Sequence, residues 1–215
     1  MFITVVITAA LGVTPAPAEE TLTSARSDEA VAPVRPIELV RSSVGRVLAI
    51  VQSQPASPAE RAKLRTEVRR VAEGLFDFND MARRMLAQHW QEGSAQQQRE
   101  FVQILTDLLE RSYLTVVENF PAVAITFQDE SVTGLYAQVR SRVVTERGAE
   151  TAIVYRLVEI DGRWAVYDVV VDGVSLISSY RSQFNSMLRR YSFAELLDRL
   201  RNREAAAVTR TSQGP

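Results

Sequence analysis

Residues 163–193 read RWAVYDVVVDGVSLISSYRSQFNSMLRRYSF, and this stretch decides the fold. One parity of Trp164–Val171 carries Trp164, Val166 and Val170; the other carries Ala165, Tyr167, Val169 and Val171. A strand with one solvated face alternates apolar with polar. This one does not, so both its faces must be covered. Past Gly173 the period becomes helical, with Leu176, Tyr180, Phe184, Leu188 and Tyr191 on one side and Ile177 and Met187 beside them. A doubly buried strand followed at once by an amphipathic helix requires a sheet with helices packed on it.

Working outward, the period of two persists back to Pro121. Val123–Phe127, Leu135–Val144 and Thr151–Ile160 are three further strands, and Asp161-Gly162 marks a tight hairpin before the last. Consecutive hairpins predict a twisted, four-stranded antiparallel sheet. Upstream, the spacing is helical. Ile37–Ser53 carries Ile37, Val40, Val44, Val47, Leu48 and Val51; Ser57 with Pro58 and Glu60 forms a capping box for a helix bearing Leu64, Val68, Val71 and Leu75. A short helix is expected around Asn79–Trp90. Ser94 then caps a long one with Phe101, Ile104, Leu105, Leu108, Leu109, Leu114 and Val117 in its stripe. Helices before and after an antiparallel sheet make an α+β domain.

The ends read differently. Phe2–Val13 is apolar and Thr14-Pro15-Ala16-Pro17-Ala18 ends in an Ala-x-Ala pattern, as in a secretory signal peptide, although no Lys or Arg precedes the run. The expected organisation is a signal peptide at 1–18, an unstructured leader at 19–36, the α+β domain at 37–201 and an unstructured tail at 202–215. With export follows a periplasmic location. The 25 Lys and Arg nearly balance the 26 Asp and Glu, so no field points to nucleic acid.

Few chemistries are open. Cysteine is absent and His89 is the single histidine, which argues against a transition-metal site or a nucleophile–histidine arrangement. The nine glycines form no phosphate-binding loop, and no cofactor is expected. Asp168 is an acid in an otherwise apolar strand. A carboxylate there is either paired structurally, to Arg181 or to the backbone of the Gly173 turn, or tuned as an acid–base group of a small enzyme acting on an apolar substrate. The remaining feature is apolar surface on two elements. Val139, Ile153, Tyr155, Val169 and Val171 lie on the sheet, with Val174 after the turn. Leu105, Leu108, Leu109, Tyr113, Leu176, Ile177, Tyr180 and Phe184 lie on helices. Periodicity marks these as buried and leaves open whether they fill one another or line a cavity.

Several of these residues resemble a known family. Tyr167-Asp168, Gly173-Val174-Ser175-Leu176 and Tyr180-Arg181 followed by Gln183-Phe184 are similar to the signature of the MlaC, or toluene-tolerance, proteins. Phe76-Asp77-Phe78, Met81, Arg83-Arg84, Leu86, Trp90, Phe101, Leu108, Leu109 and Tyr113 continue the resemblance, which spans roughly Ile37 to Leu200. Ala87 stands where the family pattern has glycine, and Ser179 where it has asparagine. The resemblance implies a periplasmic phospholipid carrier without catalytic activity. Its expected partners are phospholipid, an inner-membrane ABC transporter with its substrate-binding subunit, and an outer-membrane lipoprotein–porin complex. It also implies that the two apolar sets line one cavity. Arg140, Arg142, Arg156 and Arg181 are the cations available to a headgroup, with Arg140 and Arg142 on the parity opposite Val139.

Overall fold

The computed structural model describes residues 34–53, 57–119, 122–145, 148 and 150–212; among these, the side chains of 112–119, 122–123, 145 and 203–212 are left aside. Four helices come first: α1 (Pro36–Gln52), α2 (Pro58–Leu75), α3 (Phe78–Leu86), then a 3-10 segment Ala87–Glu92, and α4 (Ala95–Asn119). The strands are β1 (Ala122–Thr133), β2 (Tyr136–Thr145), β3 (Glu150–Ile160), β4 (Arg163–Val171) and β5 (Val174–Ser175), and α5 (Leu176–Leu188) and α6 (Phe193–Ser212) follow. The sheet is an antiparallel meander in the order β1-β2-β3-β4-β5.

Local chemistry explains the boundaries. The capping box forms at α2, where Ser57 Oγ accepts from the Glu60 N–H and the Glu60 carboxylate accepts from the Ser57 N–H. Ser94 and Gln97 do the same for α4, and Ser192 with Glu195 for α6. Helix α1 has no side-chain cap of its own. Its Ile37 N–H is met at 2.8 Å by Glu130 of β1, which also binds Arg35 at 2.6 Å. The short helix expected over Asn79–Trp90 is broken at Ala87, whose φ is +49°.

Three expectations are corrected. The sheet has five strands, not four. Asp172 and Gly173 both take positive φ (48° and 84°), the type I′ geometry that turns the chain straight back, so Val174 and Ser175 pair with Val171 and Val170 before α5 starts. The parity of β4 is not continuous. Arg156 pairs with Asp168 and Leu157 with Val166, which leaves Tyr167 as an extra residue. This bulge reverses the strand's facing. Trp164, Val166 and Val169 therefore share the face toward α1, while Asp168 and Val170 lie on the opposite face, buried beside α5. The tail expected from Asn202 is helical through Ser212; Ala205–Ala207 and the charged residues before them favour helix, and Gly214 is the first breaker.

Apolar burial divides into two main cores. One lies between α1, the end of α2 and the inner sheet face: Ile37, Val40, Val44 and Leu75 against Ala137, Val139, Tyr155, Leu157 and Val166. The other is helical and joins α3, α4, α5 and α6 through Met81, Met85, Phe101, Leu105, Phe184, Leu196 and Leu197. A parallel bridge from Phe76 to Val166, with the Asp77 N–H donating to the Val166 carbonyl at 3.0 Å, holds the α2–α3 junction against β4 between them.

Candidate functional site

The two expected apolar sets fall in different packing clusters. Val139 and Tyr155 are buried, and Ile153 and Val169 half-buried, in the sheet core. Leu105, Ile177 and Phe184 are buried in the helical core with Leu109, Leu176 and Tyr180 beside them. Leu108 is half-buried and, among the described residues, joins neither cluster. Val171 and Val174 are exposed, at 43% and 63%. The side chain of Tyr113 falls outside the described residues.

Between the cores runs a cleft of ≈ 680 Å³. Leu39 and Trp164, which pack on the sheet core, line one side; Phe78 and Val102, which pack on the helical core, line the other. Phe76 belongs to both cores and lines the cleft as well. The cleft is thus the seam of the molecule, with apolar walls that belong to different packing units. Its rim is polar: Arg69, Glu73, Asp77, Asn79, Gln103 and Arg163. Arg69 is held by Glu73 at 3.1 Å, Asp107 at 2.9 Å and Glu110 at 3.4 Å. Burial raises the Glu110 carboxyl above its ordinary range, against the pull of Arg69.

No residue proposed from the sequence for the cavity lines this cleft. Phe76 and Phe78 were legible only as part of the family resemblance. Two aromatics flanking a helix-capping aspartate were their signal, since Asp77 accepts from the Asp80 N–H at 2.8 Å and so turns both rings about the start of α3.

The four arginines assigned to a headgroup do not converge. Register places Arg140, Arg142 and Arg156 on the sheet face opposite Val139 and Tyr155. Arg140 pairs with Asp129 at 2.9 Å, Arg142 with Glu150, and Arg156 with Asp168 at 3.1 Å. Arg181 donates from Nε to the Arg84 carbonyl at 2.8 Å. Strand alternation, which already set Arg140 and Arg142 against Val139, accounts for the outcome.

Asp168 is tied into the fold on both carboxylate oxygens. Its side chain is 3% exposed. One oxygen accepts from the Ile177 N–H at 3.1 Å; the other accepts from Ser175 Oγ at 2.7 Å and from Arg156. Ser175 in turn caps α5 by accepting from the Ser178 N–H. The carboxylate therefore sits on the first turn of α5, where the helix dipole favours negative charge. Its partners are Arg156 and the α5 N-terminus, not Arg181 or the Gly173 turn. Asp172 supplies the turn chemistry instead, accepting from the Ala152 N–H at 2.8 Å. His89 is buried between Glu92, 2.7 Å from Nδ1, and Asn185, 3.0 Å from Nε2. Among the described residues no helix is long and apolar enough to cross a membrane.

Comparison with known proteins agrees with this architecture. A solved phospholipid-binding protein from Ralstonia solanacearum, in complex with a phospholipid, superposes with a TM-score of 0.69 at 22% identity, covering 80% of this chain and 98% of that one. The intermembrane phospholipid transport system binding protein MlaC of Haemophilus influenzae is 21% identical over 177 residues, which is 80% of this chain and 83% of the relative. The family model described as MlaC protein matches residues 41–202, and the chain belongs to the MlaC family.

Proposed function

We propose that this protein is a periplasmic phospholipid carrier, exported by removal of residues 1–18, which shuttles lipid between outer-membrane and inner-membrane complexes of the Mla type. It holds the acyl chains along the seam between its two apolar cores and catalyses no reaction. Its partners in this reading are an inner-membrane ABC transporter with its substrate-binding subunit and an outer-membrane lipoprotein–porin complex. Family membership and the names of the two relatives support it. The observation that carries it is the ≈ 680 Å³ cleft with walls drawn from separate cores.

The energetics favour this place. Burying roughly 28 methylenes from water is worth about 20 kcal/mol at about 0.8 kcal/mol each. Lipid cannot leave through bulk water at a useful rate, so handover requires direct contact with donor and acceptor. The cleft lies within the range of small-molecule pockets, about 300–1,000 Å³. Two acyl chains enter by parting Leu39 and Trp164 from Phe78 and Val102. That exchanges apolar protein contacts for apolar lipid contacts, with little net transfer energy.

Native mass spectrometry of the purified protein tests the reading. About one diacyl phospholipid per chain is expected. Val102→Trp, which fills the cleft from α4, is expected to lose that lipid while the melting temperature of the delipidated protein stays near that of the parent. Parent protein that never takes up phospholipid from vesicles would refute the carrier.

A further inference from the structure

Helices α2 and α4 both line the cleft without sharing a core. Val68 and Val71 of α2 pack on Val47 of α1, and Leu75 packs in the sheet core, whereas Phe101, Ile104 and Leu105 of α4 pack in the helical core. Among the described residues no apolar cluster holds side chains from both helices. What joins them is ionic. Arg69 of α2 meets Asp107 of α4 at 2.9 Å and Glu110 at 3.4 Å, while Glu73, one turn on, holds its guanidinium from the α2 side at 3.1 Å. Arg69 and Glu73 line the cleft from α2, and Gln103 and Thr106 line it from α4. Asp107 and Glu110 stand one turn beyond those two on the same helix face.

This joint differs in kind from its surroundings. The Arg69 and Asp107 side chains are 40% and 38% exposed, so both charges rehydrate when they part and little is lost. At the α2–α3 junction, by contrast, the chain is continuous and the Asp77 N–H is bonded to the Val166 carbonyl, which ties that point of the cleft to β4. Arg69 precedes Phe76 by seven residues, about 10 Å along α2 at about 1.5 Å per residue. The cleft therefore has a fixed junction and, two helical turns away, a joint that opens without exposing apolar surface.

Resting on the carrier reading, we infer that Arg69, with Asp107 and Glu110, is a strap across the lipid cleft: it sets the rate at which acyl chains enter and leave, and it does not bind the lipid. Three carboxylates around one guanidinium leave net negative charge at this point of the rim, which repels a phosphate. The strap is closed in the empty and in the loaded protein and broken only in the parted state between them. It stabilises both end states alike, so loading and release are slowed together and the amount of lipid held at equilibrium is unchanged.

The test loads the protein with chain-deuterated phospholipid and mixes it with vesicles of unlabelled phosphatidylcholine and phosphatidylethanolamine, whose headgroups carry no net charge. Native mass spectrometry follows replacement of the label. At low salt Arg69→Gln is expected to exchange about five-fold faster than wild type, with the same lipid per chain at equilibrium. Wild-type exchange is expected to accelerate between about 0.01 and about 1 M salt, as the Debye length falls from about 30 to about 3 Å, and Arg69→Gln to respond little. Asp107→Asn added to Arg69→Gln should bring no further gain. Arg140→Gln, which breaks an exposed pair on the far sheet face, should exchange as wild type does. Because the chain has no cysteine, Arg69→Cys with Asp107→Cys can be joined by a short cleavable thiol reagent, and exchange should stop until the reagent is cleaved. A wild-type rate in Arg69→Gln, an equal salt response in both, an equal gain in Arg140→Gln, or free exchange through the joined pair overturns the strap and leaves the carrier standing. Lipid lost from Arg69→Gln at equilibrium would make Arg69 a lipid contact and also overturns it. Wild type that takes up no phospholipid overturns the carrier reading itself.

Discussion

Replacing Asp168 by asparagine and by alanine measures how α5 is held on β4. Asparagine keeps an oxygen for the Ile177 N–H but places an NH₂ where the second oxygen met Ser175 Oγ and Arg156. The Arg156 side chain is 40% exposed and can rehydrate, so losing that pair costs at most about 1 kcal/mol. Removing a negative charge from a partly buried helix N-terminus costs about 1 kcal/mol more, and the charge-assisted bond from Ser175 falls to a neutral one or is lost, about another 0.5–1 kcal/mol. The expected total for Asp168→Asn is about 2–3 kcal/mol. For a domain of this size that is a fall of about 5–10 °C in melting temperature. Asp168→Ala also strands the Ile177 N–H and should cost about 4–5 kcal/mol. Thermal unfolding followed by circular dichroism gives both values, and amide exchange should localise the loss to α5. Below their transitions, both variants should load phospholipid as wild type does. An unchanged melting temperature for Asp168→Asn would refute the tether. A stable variant that loses an enzymatic activity would make Asp168 a reacting group and α5 its bystander.

Other outcomes follow from the same geometry. Ala87 is exposed with φ +49°, so Ala87→Gly should relieve strain of about 1–3 kcal/mol against about 0.4–1 kcal/mol of added chain entropy, raising the melting temperature by a few degrees; a fall would mean that Ala87 is unstrained. A Cβ on Gly93 would stand 2.7 Å from the ring of Phe193, itself buried, so Gly93→Ala should cost about 1–3 kcal/mol by equilibrium denaturation. Hydrogen bonding to Asn185 and then to Glu92 raises the pKa of His89 above its ordinary value near 6.5. The stabilisation from its charged form should be complete below pH about 6.5 and disappear as pH rises through the higher folded-state value. Melting temperature against pH should therefore slope downward there, and His89→Gln should flatten it.

Much of the fold is legible in the chain because local chemistry decides it. The Ser57–Glu60 box, the Asp161-Gly162 hairpin and the double burial of β4 are written in adjacent residues. What is not legible depends on partners far away in sequence. The extra residue at Tyr167 reverses the facing of β4, and only the register against β3 reveals it. The candidate site was less legible still. Helical and strand periods identify apolar faces, but not which faces share a core, and the cleft lies where two cores fail to merge. Leu39 sits off the main stripe of α1, and the strand period marks Trp164 as covered without marking it as a wall of the cleft. The arginines are the opposite case: parity alone set Arg140 and Arg142 against Val139, and the register against β3 agrees with it.

The borrowed cap of α1 bears on when the molecule folds. Helix α1 roofs the inner sheet, yet the acceptor for its first turn, Glu130, lies 93 residues downstream. A short isolated helix without its own cap is marginal in water. Closing so long a loop must precede the contact that rewards it. The sheet core is therefore expected to assemble late, once β1 has been made and delivered. Under the export proposed above, with the chain threaded N-terminus first through a narrow channel, that delay is useful: the leading segment stays extended and threadable until the strand that completes it has followed it across.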